Sequence, residues 1–323
     1  MSNPPTISGY RITRPLGRGA TARVYLADDR QGRQVALKVL LPEDERQEYP
    51  DAAGMFANEV RMTMQLTHDH LVRGYGGQGF DEGAYLALEY FPQGALDSLV
   101  QPGRPLPPEQ AARILRGVAE GLDYMHRQGA VHQDVKAQNI YLDGDRAVLA
   151  DLGCSYMMGQ GGRVGGSPFY MAPEIYRGEE ATAASDVYSL GVLAYEVLAG
   201  QRPFEGDDYN ELMAQHLNAM PPSLAHLAPE LPRLVARTLQ QALAKNPDDR
   251  PDLLEVMAAL NEWLGADVEV GARPEPAAPS GPVLGRHAAP QHEASAPVLT
   301  EPESETDAAP GLLARWNPFR KKG

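Results

Sequence analysis

The chain has 323 residues, 43% of them hydrophobic, a formal net charge of −14 and one cysteine, Cys154. At roughly 150 residues per domain there is room for about two folded units, and the apolar content is ordinary for a globular core. The negative charge excludes a general nucleic-acid binder, which needs a basic face. The lone cysteine excludes an internal disulfide and a cysteine-rich zinc site. No run of about 18 uninterrupted apolar residues is present to form a transmembrane segment, and Met1 to Arg11 has no stretch resembling a secretory signal. A soluble, cytoplasmic protein is expected.

Along the chain, Tyr10–Leu16, Arg23–Ala27 and Gln34–Leu40 read as short strands, β-branched or alternating and separated by Gly or Asp turns. Ala52–Gln65 carries a helical pattern with Phe56, Val60 and Met64 on one side, and Tyr85–Tyr90 reads as a further buried strand. From Pro108 the character turns helical: Ile114, Leu115, Val118, Leu122 and Met125 recur at helical spacing behind Pro107 and Pro108. Ser185–Ala199 and Asp252–Leu264 behave alike. A strand-rich first third before a helical remainder predicts two lobes with a cleft between them. After Gly265, Pro, Ala, Gly, Ser and Glu dominate through Pro310. Such a segment buries too little apolar area to offset its ordering entropy, so 266–323 is expected to be a disordered tail. It carries an acidic cluster, Glu301, Glu303, Glu305 and Asp307, then an aromatic and basic stretch from Leu312 to Lys322. An inert end is the simpler reading of that stretch; the alternative is a short docking motif for a partner, for an acidic membrane surface or for the chain's own folded part.

Three motifs carry chemistry. Gly17-Arg18-Gly19-Ala20-Thr21-Ala22-Arg23-Val24 lies between the first two strands, and glycines there let backbone N–H groups approach phosphates. A plain glycine hairpin explains it equally well, and no Lys-Ser or Lys-Thr follows to make a P-loop. Lys38 in Val35-Ala36-Leu37-Lys38 is either a solvent-facing strand residue or a cation for nucleotide phosphates, held by Glu59 of the following helix. The third motif is the most specific. His132-Gln133-Asp134-Val135-Lys136-Ala137-Gln138-Asn139 puts an acid, a cation and an amide in one loop, and Asp151-Leu152-Gly153 follows the apolar run Ala147–Ala150. Phosphoryl transfer asks for a carboxylate to orient a hydroxyl, a cation for the moving group and oxygen donors for magnesium.

With these motifs in order, the chain resembles the eukaryotic-type (Hanks-type) serine/threonine protein kinases of the compact bacterial kind, over Tyr10 to Leu264. Met171-Ala172-Pro173-Glu174, Asp186-Val187-Tyr188-Ser189-Leu190-Gly191 and Asn246-Pro247-Asp248-Asp249-Arg250-Pro251 complete the pattern. The resemblance implies an α+β, bilobal kinase domain over 9–265. Its small antiparallel sheet lobe with one helix would run to about 88, and the larger helical lobe from 92. It implies ATP with magnesium, or manganese in its place, and serine or threonine residues of protein substrates. Lys38 would hold the α- and β-phosphates and Glu59 would hold Lys38; Asp134 would be the base or orienting group, and Lys136 would neutralise the transferred group. Asn139 and Asp151 would ligate the metal. Leu16, Gly17, Gly19, Val24, Ala36, Glu89 and Phe91 would line the nucleotide, with Leu88 as gatekeeper and mostly main-chain contacts to adenine. Glu174–Arg250 would be a buried ion pair, and Asp186 would hold the catalytic loop's backbone.

The chain departs from the family pattern at Ala22 for the third glycine, Leu152 for the phenylalanine of Asp-Phe-Gly, Ser167 for a threonine, and Gln133 for arginine. The last removes a regulatory charge and no catalytic group. A pseudokinase scaffold normally lacks one of Lys38, Asp134, Asn139 or Asp151, and all are present. A small-molecule phosphotransferase lacks the Ala-Pro-Glu segment and usually the lysine two after the aspartate.

Overall fold

The computed structural model describes residues 5–46, 51–80, 83–158 and 166–265. The tail from 266, with its acidic cluster and aromatic-basic stretch, lies outside the described residues. The chain opens with β1 (Arg11–Arg18), β2 (Ala22–Asp28), β3 (Gln34–Leu40), α1 (Ala52–Gln65), β4 (Gly74–Gln78) and β5 (Tyr85–Glu89). The five strands form one antiparallel sheet in the order β1-β2-β3-β5-β4. Strand β3 shows why it forms: Val35, Leu37 and Val39 alternate onto one face and Ala36, Lys38 and Leu40 onto the other. The first face packs with Ile7, Tyr25, Ala27 and Ala87; Leu40, on the second face, packs with Ala22 and Leu86 against Phe56 and Val60 of α1. Both faces of the strand are therefore covered, and Lys38 stands among apolar neighbours.

Two sequence expectations change here. Met64 is not on the packed stripe of α1 but 47% exposed. Eight residues past Phe56 a helix has turned about 80° beyond whole turns, and Ala52, Phe56, Glu59, Val60 and Thr63 form the buried face instead. Strand β4 was not expected at all, because Gly74-Tyr75-Gly76-Gly77-Gln78 is glycine-rich and glycine is depleted in strands. Its smallness has a packing cause: a Cβ on Gly77 would lie 2.9 Å from Val60, and one on Gly79 would lie 2.9 Å from the Ala57 Cα. Glycine lets α1 settle directly on the strand, and the register slips between Gly74 and Gly76 as at a bulge.

The helical part follows as α2 (Pro108–Arg127), β6 (Ala130–Val131), β7 (Ile140–Asp143), β8 (Arg146–Leu149), β9 (Tyr156–Met157), α3 (Pro173–Tyr176), α4 (Ala183–Ala199), α5 (Tyr209–Asn218), α6 (Leu224–Leu227), α7 (Arg233–Gln241) and α8 (Leu253–Leu264). The expected α+β class with a helical second lobe is what the protein has. Ile114, Leu115, Val118, Leu122 and Met125 are all buried, as their spacing implied. Helix α4 is apolar nearly all round and buried along its length, the mark of a central helix, and α2 and α7 pack on it. Its start precedes the expected Ser185 because Thr182 caps it: the Thr182 N–H donates to Ser185 Oγ at 3.0 Å in a capping box. Among the described residues no helix is long and apolar enough to cross a membrane.

One ion pair ties α3 and the start of α4 to the segment between α7 and α8. Both Arg250 Nη groups donate to the two Glu174 oxygens at 2.7 Å, with side chains 1% and 2% exposed. Ser185 Oγ also donates to Glu174 at 2.7 Å, while Arg250 donates to Ala184 O at 2.8 Å and Ala244 O at 2.9 Å. Burial alone would raise the Glu174 pKa; the Arg250 guanidinium and the Ser185 hydroxyl outweigh it and hold it below the usual carboxylate range. Every polar atom of the pair is thus used, so removing one partner strands the other. Arg250→Ala should therefore cost about 3–5 kcal/mol of stability. Urea titration at pH 7 measures this, and a loss below about 1 kcal/mol, the surface-pair range, would show the pair to be dispensable.

Candidate active site

The sheet sets the first half of the site. Gly17 pairs with Val24, Val24 with Lys38 and Lys38 with Leu86, one row running across β1, β2, β3 and β5. Directly paired residues point to the same side of a sheet, so Val24 and Lys38 face the same way as Leu86, towards α1. There Lys38 Nζ donates to Glu59 Oε1 at 2.7 Å and Oε2 at 2.8 Å, and reaches Asp151 Oδ1 at 3.4 Å. Three elements meet at this ammonium: β3, α1 and the loop after β8. Burial alone would lower the Lys38 pKa, but the Asp151 and Glu59 carboxylates outweigh it and raise it, so the cation persists. Asp151 is held below its ordinary value chiefly by that cation, against its own burial.

The second half is the loop after β6. Asp186, fully buried at the start of α4, accepts the His132 and Gln133 main-chain N–H groups at 2.8 Å each, with His126 Nε2 at 2.9 Å. Burial would raise its pKa; these hydrogen bonds keep it low. Held in this way, Gln133 takes φ 69°, the left-handed region that non-glycine residues seldom occupy. His132 accepts the Asp134 N–H at Nδ1 (3.2 Å) and donates from Nε2 to Ala150 O (3.1 Å), which fixes one neutral tautomer. Burial lowers its pKa and keeps it uncharged. The Asp134 side chain that emerges is fully organised. Lys136 Nζ donates to Oδ2 at 2.6 Å, Asn139 Nδ2 to Oδ2 at 2.9 Å, and Ser167 Oγ to Oδ1 at 2.9 Å, with Lys136 Nζ also 2.7 Å from Ser167 Oγ. All four catalytic candidates and both metal candidates thus occur in two adjoining clusters, linked by the β8 strand that leads to Asp151.

The donor set suits a hard cation delivered with phosphates. Asp151 offers an ionised carboxylate on a residue at φ 65°. Asn139 donates its amide nitrogen to Asp134 O and Oδ2, and its amide oxygen has no hydrogen-bond partner among the described residues. Two oxygen donors fall short of a protein cage, and among the described residues no cluster of three or more His, Cys, Asp or Glu is arranged to hold a metal. Magnesium typically takes one or two carboxylates and completes its shell with water and phosphate oxygens. The glycine loop is open around its first two glycines. A Cβ on Gly17 would meet nothing within 4 Å, and one on Gly19 would meet only Ala22 O at 3.7 Å. The protein's own packing does not demand glycine at either position.

Of the other lining candidates, Leu16, Val24 and Ala36 are half-buried on the sheet, and Ala36 pairs with Leu88. The side chains of Glu89 and Phe91 are committed elsewhere: Arg146 takes the Glu89 carboxylate at 2.5 Å, and Phe91 stacks on Tyr141 in a cluster with Val72, Val148 and Ala150. Any contact of these two with a base would come from main-chain atoms. Ala22, in the third-glycine position, is buried in the core beneath α1. Burial pushes the Cys154 thiol up to about 12, which makes it a poor redox centre beside the metal candidates.

Sequence reading missed the residues that fasten the segment after Asp151. Asn58 Nδ2 donates to Ser155 O at 2.7 Å, Gln133 Nε2 to Cys154 O at 2.8 Å, and Tyr156 OH to Ala181 O at 2.6 Å. An amide bonding a distant carbonyl leaves no spacing pattern; the position of Asn58 next to Glu59 was the sole available hint.

Comparison with known proteins identifies the family. The family model described as "Protein kinase domain" matches residues 10–263. The chain is 34% identical to the serine/threonine-protein kinase pkn2 of Myxococcus xanthus, covering 80% of this chain and 33% of that protein. It is 36% identical to the serine/threonine-protein kinase PknB of Mycolicibacterium smegmatis (77% and 42%) and 32% identical to PrkC of Bacillus subtilis (78% and 40%). It therefore spans between a third and about two-fifths of the length of these relatives. The chain belongs to the protein kinase family, and its relatives are bacterial Hanks-type serine/threonine kinases.

Proposed function

We propose that residues 9–265 transfer the γ-phosphoryl group of ATP to serine or threonine hydroxyls of protein substrates, in a signalling role, with 266–323 as a separate tail. The observation that carries this reading is the state of Asp134. Its Oδ1 already accepts a hydroxyl, that of Ser167, and the Lys136 ammonium touches both groups. A substrate hydroxyl entering beside Ser167 would meet the same carboxylate, which would orient its oxygen and take its proton as that oxygen bonds to the γ-phosphorus and the bond from the γ-phosphorus to the bridging oxygen breaks, releasing ADP. Lys136 would neutralise charge on the moving group, and Lys38, kept charged and positioned by Glu59, would hold the α- and β-phosphates. Asp151 and Asn139 would hold magnesium, or manganese, which when bound screens charge between the β- and γ-phosphates. The relatives' names support the serine/threonine class. The retention of Lys38, Asp134, Asn139 and Asp151 weighs against a pseudokinase, and the Glu174–Arg250 pair closing an Ala-Pro-Glu segment weighs against a small-molecule phosphotransferase.

Purified Asp134→Ala and Lys38→Ala should keep the fold by circular dichroism and lose transfer by about 10²–10⁴-fold. Asp134→Ala with near wild-type phosphorylation of a generic protein would overturn the assignment.

The same reading bears on activation. In the family an arginine before the catalytic aspartate pairs with a phosphate on the activation segment; here Gln133 is neutral, and no threonine occurs between Leu152 and Ala181. Neutral hydrogen bonds from Gln133 and Asn58 secure the start of the segment, and Ser155 is buried, its hydroxyl 3.3 Å from His132 O. Arg163, a basic residue of this segment, lies outside the described residues. Phosphatase-treated enzyme should match untreated enzyme in initial rate with no lag; a lag abolished by pre-incubation with ATP would contradict this.

A further inference from the structure

We propose that a groove of about 530 Å³ on the helical lobe docks an extended acidic segment of a partner protein, with carboxylates on Arg233 and Arg237 and an apolar side chain beside Met220. The partner is a substrate of the transferase, an identification that rests on the function proposed above.

The groove runs along α7. Its apolar ground includes Met220, which is 79% exposed, with Ala225 and Ala236. Its lining holds three cations, Arg233, Arg237 and Lys245, against one carboxylate, Asp249. On a chain of net charge −14 that is a local reversal of sign. Lys245 is already engaged: its Nζ donates to His216 O at 2.7 Å and lies 4.1 Å from the Phe204 ring centre. Arg233 and Arg237 are exposed and make no ion pair or hydrogen bond among the described residues. They stand four residues apart on one helix, about 6 Å along its axis. Alternate side chains of an extended strand repeat at about 6.6 Å, so an acid, any residue and a second acid match the two guanidiniums. The guanidinium fork favours carboxylate or phosphate partners over neutral ones, and the exposed methionine adapts to a range of apolar side chains. Nucleic acid is disfavoured as the occupant, since its continuous backbone charge would also face the acidic remainder of the surface.

No groove residue belongs to the catalytic loop or contacts Asp134. Occupancy would therefore tether a substrate and raise its local concentration without touching the chemical step. The expected signature is on KM, with kcat unchanged.

A fluorescein-labelled peptide containing Glu-Ser-Glu followed by two leucines, titrated with the full chain in the absence of nucleotide, tests binding by anisotropy. Binding should weaken several-fold in the Arg233→Glu/Arg237→Glu chain and in the milder Arg233→Ala/Arg237→Ala chain, each with an unchanged unfolding temperature. It should also fall at about 1 M salt, where the screening length is about 3 Å, and be lost when lysines replace the glutamates. Fused to a phosphoacceptor sequence, the peptide should show a several-fold higher KM with either variant and the same kcat, while a substrate lacking it shows no difference. Equal binding by wild type and both variants would overturn the proposal. So would self-association of the chain that the same substitutions abolish, which would make a second copy the occupant. Much tighter peptide binding by a Glu301→Lys/Glu303→Lys/Glu305→Lys chain would assign the groove to the chain's own acidic segment, again overturning it. Peptide binding without any phosphoryl transfer would sink the transferase reading and uphold the groove.

Discussion

A single buried carboxylate sets the geometry on which the site depends. Asp186 has no exposed surface and spends both oxygens on the N–H groups of His132 and Gln133. Burying an ionised carboxylate is costly unless its lone pairs are filled, and here two amides and the His126 ring fill them. In return the loop is locked where it would not rest unaided, with Gln133 in the left-handed region. Strain of this kind costs of order 1–3 kcal/mol and persists only where surroundings over-determine it. Helix α4 provides that determination because it is buried along its whole length and cannot shift without opening the core.

From that anchor the order propagates outward in short steps. The locked loop places His132 against Ala150, at the end of the β8 run, which leads directly to Asp151. Asp151 in turn reaches Lys38, and Lys38 binds Glu59 of α1. A chain of hydrogen bonds thus connects the central helix of the large lobe with the helix of the small one. Each link is an ion pair or a hydrogen bond to the main chain, so the groups that would face phosphate are held in place by the protein itself. Preorganised charges of this sort do not have to reorient during reaction, which is the main source of electrostatic catalysis. The Glu174–Arg250 pair serves the same end from below, fixing the close of the activation segment to the start of α4.

How much of this the sequence disclosed depended on the kind of signal involved. Lys38, Glu59, Asp134, Lys136, Asn139 and Asp151 could be singled out because the motifs place those residue types at nearly fixed separations, and the structure brings Lys38 to Glu59 and Asp151, and Asp134 to Lys136 and Asn139. The helices were legible because burial imposes a period, as Ile114 to Met125 demonstrate. Strand β4 was hidden because its glycines answer to the proximity of Val60 and Ala57, a three-dimensional constraint with no local signature. Met64 misled because three residues at spacing four look like one face until the drift of the helix is counted. The Phe91 ring turned into the core beside Tyr141, a partner fifty residues away in the chain. Asn58 and Gln133 act through amide-to-carbonyl bonds, which any surface asparagine or glutamine can equally make.

The central claim is that the organised Asp134 cluster serves a protein hydroxyl. It is tested most directly by incubating the purified chain with magnesium, γ-labelled ATP and a mixture of unstructured proteins, then hydrolysing the products to phosphoamino acids. The account predicts label in phosphoserine and phosphothreonine, none in phosphotyrosine, and loss of label when magnesium is chelated. Label recovered solely as inorganic phosphate or in a small-molecule acceptor, with none in protein, would contradict it.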